Sequence, residues 1–229
     1  MNVRNISILW DIDGTLLSTG GAGVPAFERA LSEQIKKPVS ELDSHEFSGL
    51  TDFQIAELLL SRYAPQDFSP NNIDKIVQKY SEYLVEYITS ERTKQIDNVG
   101  AKIEYLKKYF PHLNHHIATG NIVSGAIIKL KASNLYNLFV NSKIFSALSV
   151  GPRSQIILRA KNELHVDNGD IVVIGDTLND FKAANEAKIP SIILTSTEYG
   201  KTIRENAMHT MNINWSTDEL VNGIYNAIK

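Results

Sequence analysis

Two aspartates that flank a single isoleucine are the residues of this sequence best suited to chemistry. Asp11 and Asp13 follow the apolar run Ile6–Trp10, and Gly14 comes directly after them. Successive side chains of a straight strand point in opposite directions, but a turn at Gly14 lets both carboxylates reach one pocket. Two carboxylates at such a short distance repel each other unless a cation or a shared proton lowers the electrostatic cost. The pattern therefore predicts a cation site or an acid–base pair.

The same segment has two plainer interpretations, a polar turn after a strand and a calcium-binding loop. A calcium loop needs a bidentate Glu at its twelfth position, which is Ala22 here. The calcium loop is therefore excluded, whereas the polar turn stays open when this segment is considered alone.

A second acidic segment follows the apolar run Ile171–Ile174 and contains Asp176 and Asp180. Alone, it could simply cap the helix that it precedes, because Asp is common at helix N-termini. Two acidic strand ends in one α/β sheet are more informative, because ligands bind beyond the carboxyl ends of its strands. Together they predict an oxygen-only site suited to a hard cation such as Mg²⁺.

A third segment, Thr119-Gly120-Asn121, also stands between an apolar run and a helical pattern. A Thr hydroxyl and successive backbone N–H groups at a helix start can bind an anion. Thr-Gly-Asn is also an ordinary turn and cap, so this segment supports the other two without standing alone.

All three segments end short apolar runs, which indicates the elements that position them. Runs rich in β-branched residues, each followed by a helical pattern, predict buried parallel strands. The predicted strands are Ile6–Trp10, His116–Thr119, Ile171–Ile174 and Ser191–Leu194, with a fifth near Phe145–Val150. This alternation predicts an α/β fold with a doubly wound parallel sheet.

The segment between Leu16 and about Thr93 has helical periodicity and no convincing strand. It predicts helices over Pro25–Gln34, after Thr51 and over about Ile73–Ile88. An all-helical block inserted after the first strand suggests a cap over the carboxyl edge of the sheet. We therefore expect a core domain of residues 1–16 and 94–229 and a helical cap domain of residues 17–93.

Composition excludes several classes of protein. The chain has 229 residues, of which 43% are hydrophobic and 21% charged, as in a globular protein with a real core. The absence of cysteine excludes disulfides, thiolate catalysis and cysteine metal sites. A net charge of −3 gives no reason to bind nucleic acid or an anionic membrane. We expect a cytoplasmic monomer or homodimer.

The three strand ends together resemble the haloacid dehalogenase (HAD) superfamily, in its phosphoglycolate-phosphatase-like branch with a small helical cap. Asp11-Ile12-Asp13-Gly14-Thr15 and Gly175-Asp176-Thr177-Leu178-Asn179-Asp180 carry the resemblance, and Thr119 supports it. The resemblance implies a Rossmann-like core and a Mg²⁺-dependent phosphomonoester hydrolase. Such an enzyme acts on a small phosphorylated metabolite through an aspartyl-phosphate.

The resemblance also implies roles for the residues that react and bind. Asp11 would be the nucleophile, and Asp13 the general acid that protonates the leaving group and then the base that activates water. Thr119, with the N–H groups of Gly120 and Asn121, would hold the phosphoryl oxygens.

Mg²⁺ would be bound by the carboxylates of Asp11 and Asp176 and by the backbone carbonyl of Asp13, and Asp180 would contact those ligands or act through water. These assignments account for the four acidic residues of the two main motifs, which makes Mg²⁺ the expected cofactor.

The family places a Lys, occasionally an Arg, ahead of its last acidic motif to steady the nucleophile and the phosphoryl group. The usual Lys-Pro is missing, so Arg153 is the first candidate and Lys161 and Lys143 are the alternatives. Leu50 and Thr51 of the cap are candidate substrate contacts, although Thr51 could equally be a helix N-cap only.

Two alternatives to a phosphatase stay open. A phosphomutase of the β-phosphoglucomutase type would use the same aspartyl-phosphate, but the cap has no evident basic cluster near Thr51 to grip a sugar. A regulatory domain, phosphorylated on Asp or binding a partner, is the alternative that is not an enzyme. A receiver of that type would lack the inserted cap and the second acid.

Overall fold

The computed structural model describes residues 4–195 and 209–229. Its strands are β1 (Ile6–Trp10), β2 (Leu17–Ser18), β3 (Lys94–Gln95), β4 (Leu113–Thr119), β5 (Ile144–Ser146), β6 (Ile171–Gly175), β7 (Ser191–Thr195) and β8 (Thr210–Asn212). Its helices are α1 (Gly23–Ile35), α2 (Asp52–Tyr63), α3 (Pro70–Tyr87), α4 (Val99–Tyr109), α5 (Val123–Ala132), α6 (Ser154–Leu164), α7 (Leu178–Glu186) and α8 (Thr217–Ala227).

Six strands form one parallel sheet in the order β5-β4-β1-β6-β7-β8. Every residue of β1, β6 and β7 is buried, as expected for strands covered by helices on both faces. Alternate residues of β1 serve opposite cores, because Ile8 and Trp10 pack on one face and Leu9 on the other. The predicted α/β fold with a doubly wound parallel sheet is confirmed.

Helices α1, α2 and α3 form a helical layer beside the carboxyl edge of the sheet. Phe27 of α1 and Tyr80 of α3 stack with their ring centroids 3.9 Å apart and are both buried. The apolar residues of this layer join Leu9 and Ala118 of the sheet in one continuous core. Among the described helices, none combines the length and apolar composition needed to cross a bilayer.

The described residues correct two of the sequence-based expectations. The segment predicted to hold no strand begins with β2, which pairs antiparallel with β3 where the chain leaves and re-enters the core. Strands of two residues are too short to show an alternating pattern. The fifth predicted strand, Phe145–Val150, is wrong at its end, because β5 stops at Ser146. Leu148 and Val150 are instead exposed.

His115 is a buried polar residue of β4, the strand that pairs with β1. Its Nδ1 accepts a hydrogen bond from the indole Nε1 of Trp10 at 3.0 Å, and the two rings stack. Burial lowers the pKa of His115 to about 3, with smaller contributions from the charges of Lys107 and His116. The folded protein therefore holds this imidazole neutral well below the pH at which an unfolded chain binds the proton.

We expect His115 to weaken the fold in acid. Its folded-state pKa is depressed, so the penalty is absent above pH 6.5 and grows as the pH falls towards 3. His115→Asn keeps an acceptor near the Nδ1 position. When the pH is lowered from 7.5 to 5, the free energy of unfolding of wild type should fall by about 2 kcal/mol more than that of the variant. Urea unfolding at both values measures this difference. The exposed control His165→Asn should behave as wild type, and identical pH dependence in His115→Asn would contradict the prediction.

Candidate active site

The candidate site lies where β1, β4 and β6 end side by side. β1 pairs with β4 on one side and with β6 on the other, so the residues that follow the three strands meet at one edge. This edge faces a cavity of about 380 Å³ beneath the helical layer. The predicted site residues that line the cavity are Asp11, Asp13, Leu50, Thr119, Gly120, Asn121, Arg153 and Asp176.

Asp11, Asp176 and Asp180 form a carboxylate cluster on one side of the cavity. One oxygen from each lies within 4.8 Å of the others. Burial raises the pKa of Asp11 to about 7, where Arg153 opposes the rise and Asp180 adds to it. Burial and then the charges of Asp180 and Asp11 raise the pKa of Asp176 well above its usual value. The cluster thus carries more negative charge than its surroundings neutralise.

Turn geometry at Gly14 allows the cluster to be this compact. Gly14 has φ +80°, and a β-carbon there would lie 2.1 Å from Oδ2 of Asp176. Only glycine gives both the left-handed conformation and the space. The next residue, Thr15, donates its hydroxyl to Oδ1 of Asp176 at 3.0 Å and so orients that carboxylate.

Asp180 combines a structural role with a place in the carboxylate cluster. Its Oδ2 accepts from the backbone N–H and the hydroxyl of Thr177 at 3.0 and 2.6 Å, which completes a capping box at the start of α7. Its Oδ1 lies 2.6 Å from Nη2 of Arg153. Helix capping, the simpler interpretation of this segment, and participation in the cluster therefore coexist.

Arg153 is the cation of the carboxylate cluster. Its Nη2 lies 2.7 Å from Oδ1 of Asp11 as well as 2.6 Å from Asp180. Burial lowers the pKa of Arg153, but the surrounding carboxylates outweigh that effect and raise it above its usual value. Of the alternatives, Lys143 bonds the Glu163 carbonyl at 2.8 Å, and neither it nor Lys161 lines the cavity.

The carboxylate cluster has the chemistry of a hard-cation site. Its donors are all carboxylate oxygens, which Mg²⁺ prefers, and their mutual repulsion is what a divalent cation relieves. One arginine against three buried or partly buried carboxylates leaves a net negative charge. The residues present therefore fit a divalent metal.

Asn121 connects Thr119 at the end of β4 with Asp13. Its Nδ2 donates to Oγ1 of Thr119 at 2.8 Å and to Oδ2 of Asp13 at 2.7 Å. The backbone N–H of Asn121 also donates to Oγ1 of Thr119, at 3.3 Å. Because Oγ1 accepts twice, the Thr119 hydroxyl hydrogen is left to donate into the cavity.

Lys129 of α5 is the site residue that sequence reasoning missed. Only 5% of Lys129 is exposed, and its Nζ lies 2.6 Å from Oδ2 of Asp13 and 2.5 Å from Oδ1 of Asn121. Burial lowers its pKa, but Asp13, Tyr80 and Asp52 outweigh that effect and raise it. A signal exists in the sequence, because this lysine shares the apolar face of α5 with Ala126 and Leu130.

The start of α2 brings the helical layer against the strand ends. Asp52 accepts from the backbone N–H of Ile122 at 2.8 Å, and its own N–H donates to the Gly120 carbonyl. Burial raises the pKa of Asp52 to about 7, with Lys129 opposing the rise. Thr51 forms a capping box with Gln54 and does not line the cavity, whereas Leu50 does.

The wall that the helical layer contributes to the cavity combines apolar side chains with the polar side chains of Thr19, Ser44, His45, Ser48 and Asp52. Its apolar side chains are Val24, Phe27, Phe47, Leu50, Ile55 and the ring of Tyr80. Among the described residues of segment 17–93, no Lys or Arg lines the cavity. The charged groups of the site therefore come almost entirely from the sheet side.

Comparison with known proteins gives one family and one fold. Residues 8–194 match the family model of haloacid dehalogenase-like hydrolases. No curated protein matches the chain at a significant level. The sequence identities to the solved structures below are low, so these structures show the shared fold alone.

Three solved structures resemble this chain over nearly its whole length. A predicted phosphatase from Clostridium acetobutylicum is 22% identical, with 98% of this chain and 100% of that chain covered and a TM-score of 0.72. A HAD hydrolase, family IA, variant 3, from Entamoeba histolytica is 19% identical, with 96% and 99% covered and a TM-score of 0.74. CbbY from Rhodobacter sphaeroides, in complex with phosphate, is 19% identical, with 92% and 96% covered and a TM-score of 0.68.

Proposed function

This chain belongs to the haloacid dehalogenase-like hydrolase family, and on that basis we propose that it is a Mg²⁺-dependent phosphomonoester hydrolase. The observation that carries the proposal is the arrangement around the cavity. Asp11 belongs to a cluster of three carboxylates, and Asp13, Thr119 and Gly120 line the same cavity. Phosphoryl transfer needs positioning and charge stabilisation, and these groups can supply both.

Asp11 is the proposed nucleophile. One of its carboxylate oxygens attacks phosphorus, the bond between phosphorus and the leaving oxygen breaks, and Asp13 gives that oxygen a proton to release an alcohol. Water then attacks the aspartyl-phosphate while Asp13 takes a proton from it, which releases phosphate and restores Asp11. Asp13 suits both proton transfers because its side chain is 44% exposed at the cavity.

The phosphoryl oxygens would be held by Thr119, by the backbone N–H of Gly120 and by the guanidinium of Arg153, all of which line the cavity. Mg²⁺, bound by Asp11, Asp176 and the backbone carbonyl of Asp13, would neutralise the repulsion between the nucleophile and a dianionic phosphate.

We further propose that segment 17–93 is a cap domain and that residues 1–16 and 94–229 are the core domain. Leu50 then contacts the substrate, and the role of Thr51 is to cap α2. A cap wall to which no described Lys or Arg contributes favours a small phosphorylated metabolite whose leaving group is uncharged. The described cations Arg153 and Lys129 are already paired with carboxylates, so neither is free to neutralise a second anionic group.

Phosphate release from a panel of phosphorylated metabolites, with Mg²⁺ or with EDTA, tests this function. We expect removal of the metal to lower release by at least about a hundredfold, because charge neutralisation by a metal contributes several kcal/mol. We also expect phosphomonoesters of uncharged alcohols to have a higher kcat/KM than phosphoglycolate or sugar bisphosphates. Thermal unfolding under both conditions is the control, since the fold should persist without metal.

Two outcomes of this panel would contradict the proposal. Equal release with EDTA would exclude a metal-dependent site. Release from no compound, together with isomerised sugar phosphates and a phosphorylated Asp11, would identify a phosphomutase. That alternative gains nothing from the cap wall, where no described Lys or Arg is placed to grip a second phosphate.

A further inference from the structure

Lys129 makes short hydrogen bonds to two side chains of the site. Its ammonium bridges Oδ2 of Asp13 and Oδ1 of Asn121 at 2.6 and 2.5 Å. Asn121 also donates to Asp13, so the three side chains form a closed triangle of polar contacts. None of the motifs in the sequence includes this lysine, because it lies ten residues beyond Thr119.

Folding alone gives no reason for an ammonium at this position. The burial of a charge costs several kcal/mol even when it is paired, and a well-packed apolar side chain is often as stable. The position lies on the buried face of α5 beside Leu130, where an aliphatic residue would pack. Lys131, two residues later on the same helix, is exposed, as is usual for a lysine.

The two oxygens of Asp13 have different surroundings. Oδ2 accepts hydrogen bonds from both Asn121 and Lys129, which occupy its lone pairs. Within the described part of the chain, no group donates to Oδ1. A proton that Asp13 gives or takes is therefore carried by Oδ1, in a side chain that is 44% exposed as a whole.

We propose that Lys129 is a positioning residue that, together with Asn121, clamps Oδ2 of Asp13 and presents Oδ1 to the leaving-group oxygen. This inference rests on the proposed phosphatase function and on the role of Asp13 as general acid. Lys129 does not itself exchange a proton with the substrate. Lys129 acts on the orientation of Asp13, so a variant without Lys129 should show the same dependence on the leaving group as a variant in which Asp13 is impaired.

The leaving group of the substrate distinguishes this role from a purely structural one. Cleavage of an alkyl phosphate needs a well-placed acid, whereas 4-nitrophenolate leaves without one. Lys129→Met should lower kcat/KM about 30- to 100-fold for an alkyl phosphate and less than about fivefold for 4-nitrophenyl phosphate, since general acid catalysis contributes 10²- to 10⁴-fold. The matched control Lys131→Met should equal wild type on both substrates.

Chemical rescue is possible because the chain has no cysteine of its own. Lys129→Cys, alkylated in denaturant with 2-bromoethylamine and refolded, regains an ammonium at lysine's length. The same variant alkylated with 1-iodopropane has the same length without the charge. We expect the aminoethylated protein to recover most of its activity on the alkyl phosphate and the propylated protein to recover none. The comparison of the aminoethylated and propylated proteins also tests the proposal if Lys129→Met does not fold.

A double-mutant cycle tests whether Lys129 acts through Asp13. With phenyl phosphate, Lys129→Met should cost less than about threefold in an Asp13→Asn background, because residues that act as one unit are not additive. Equal losses on both substrates, full additivity in the cycle, or equal rescue by both alkylations would each overturn the proposal. Wild-type protein that releases phosphate from neither substrate would instead contradict the phosphatase function itself.

Discussion

Asp11→Asn should lower the release of phosphate by at least about a thousandfold, because an amide cannot form the aspartyl-phosphate and removal of a nucleophile is among the costliest changes in an enzyme. The variant should also lose the labelled phosphate that wild type retains on the protein after an acid quench. Steady-state release across the metabolite panel, together with this quench, measures both effects.

The fold of Asp11→Asn should be intact, because the substitution removes one charge from an overcharged cluster. Burial raises the pKa of Asp11 to about 7, so its ionised form is unfavourable where it stands. Arg153 keeps its second partner, Asp180. We expect an unchanged or raised Tm. The control Asp74→Asn, an exposed position on α3, should keep full activity, and more than a tenth of wild-type turnover in Asp11→Asn would exclude Asp11 as nucleophile.

Asp13→Asn should separate substrates by their leaving groups. For alkyl phosphates kcat/KM should fall about 10²- to 10⁴-fold, the usual contribution of a general acid, because the departing alkoxide finds no proton. For 4-nitrophenyl phosphate kcat/KM should fall less than about tenfold, because its leaving group needs little protonation. The ratio of the two losses is the measured quantity.

The second half-reaction of Asp13→Asn gives an independent readout. Without Asp13 to take a proton from water, the aspartyl-phosphate should persist, so 4-nitrophenol should appear as a burst followed by slow turnover. Asp74→Asn again serves as the control and should show the wild-type time course. An equal loss for both leaving groups without a burst would contradict both proton-transfer roles of Asp13.

The strands of the core were predictable because a parallel sheet covered on both faces needs continuous apolar runs. β1 has the predicted bounds, and β6 extends one residue beyond its prediction. β5 was harder to predict because Leu148 and Val150 continue its apolar pattern although they are 67% and 38% exposed. Whether those two residues are buried depends on which elements pack over them, and the local sequence pattern does not contain that information.

Only the tertiary structure shows which basic side chain pairs with the carboxylate cluster. Arg153, Lys161 and Lys143 stand in one stretch of chain, and a sequence offers no distance between any of them and Asp11. The fold puts Arg153 2.7 Å from Asp11, while Lys143 bonds the carbonyl of Glu163.

By itself, the sequence determined the α/β class and the positions of the three polar strand ends, because these depend on short apolar runs and on the residues directly after them. Only the tertiary structure decided which distant side chains complete the site. Lys129 follows Thr119 by ten residues, and a lysine on a helix face is usually solvated. The packing of α5 against β5 and against α3 of the helical layer buries this one, and its ammonium contacts Asp13. The local pattern shows only that Lys129 shares the apolar face of α5, whereas its contact with Asp13 depends on how the elements pack in three dimensions.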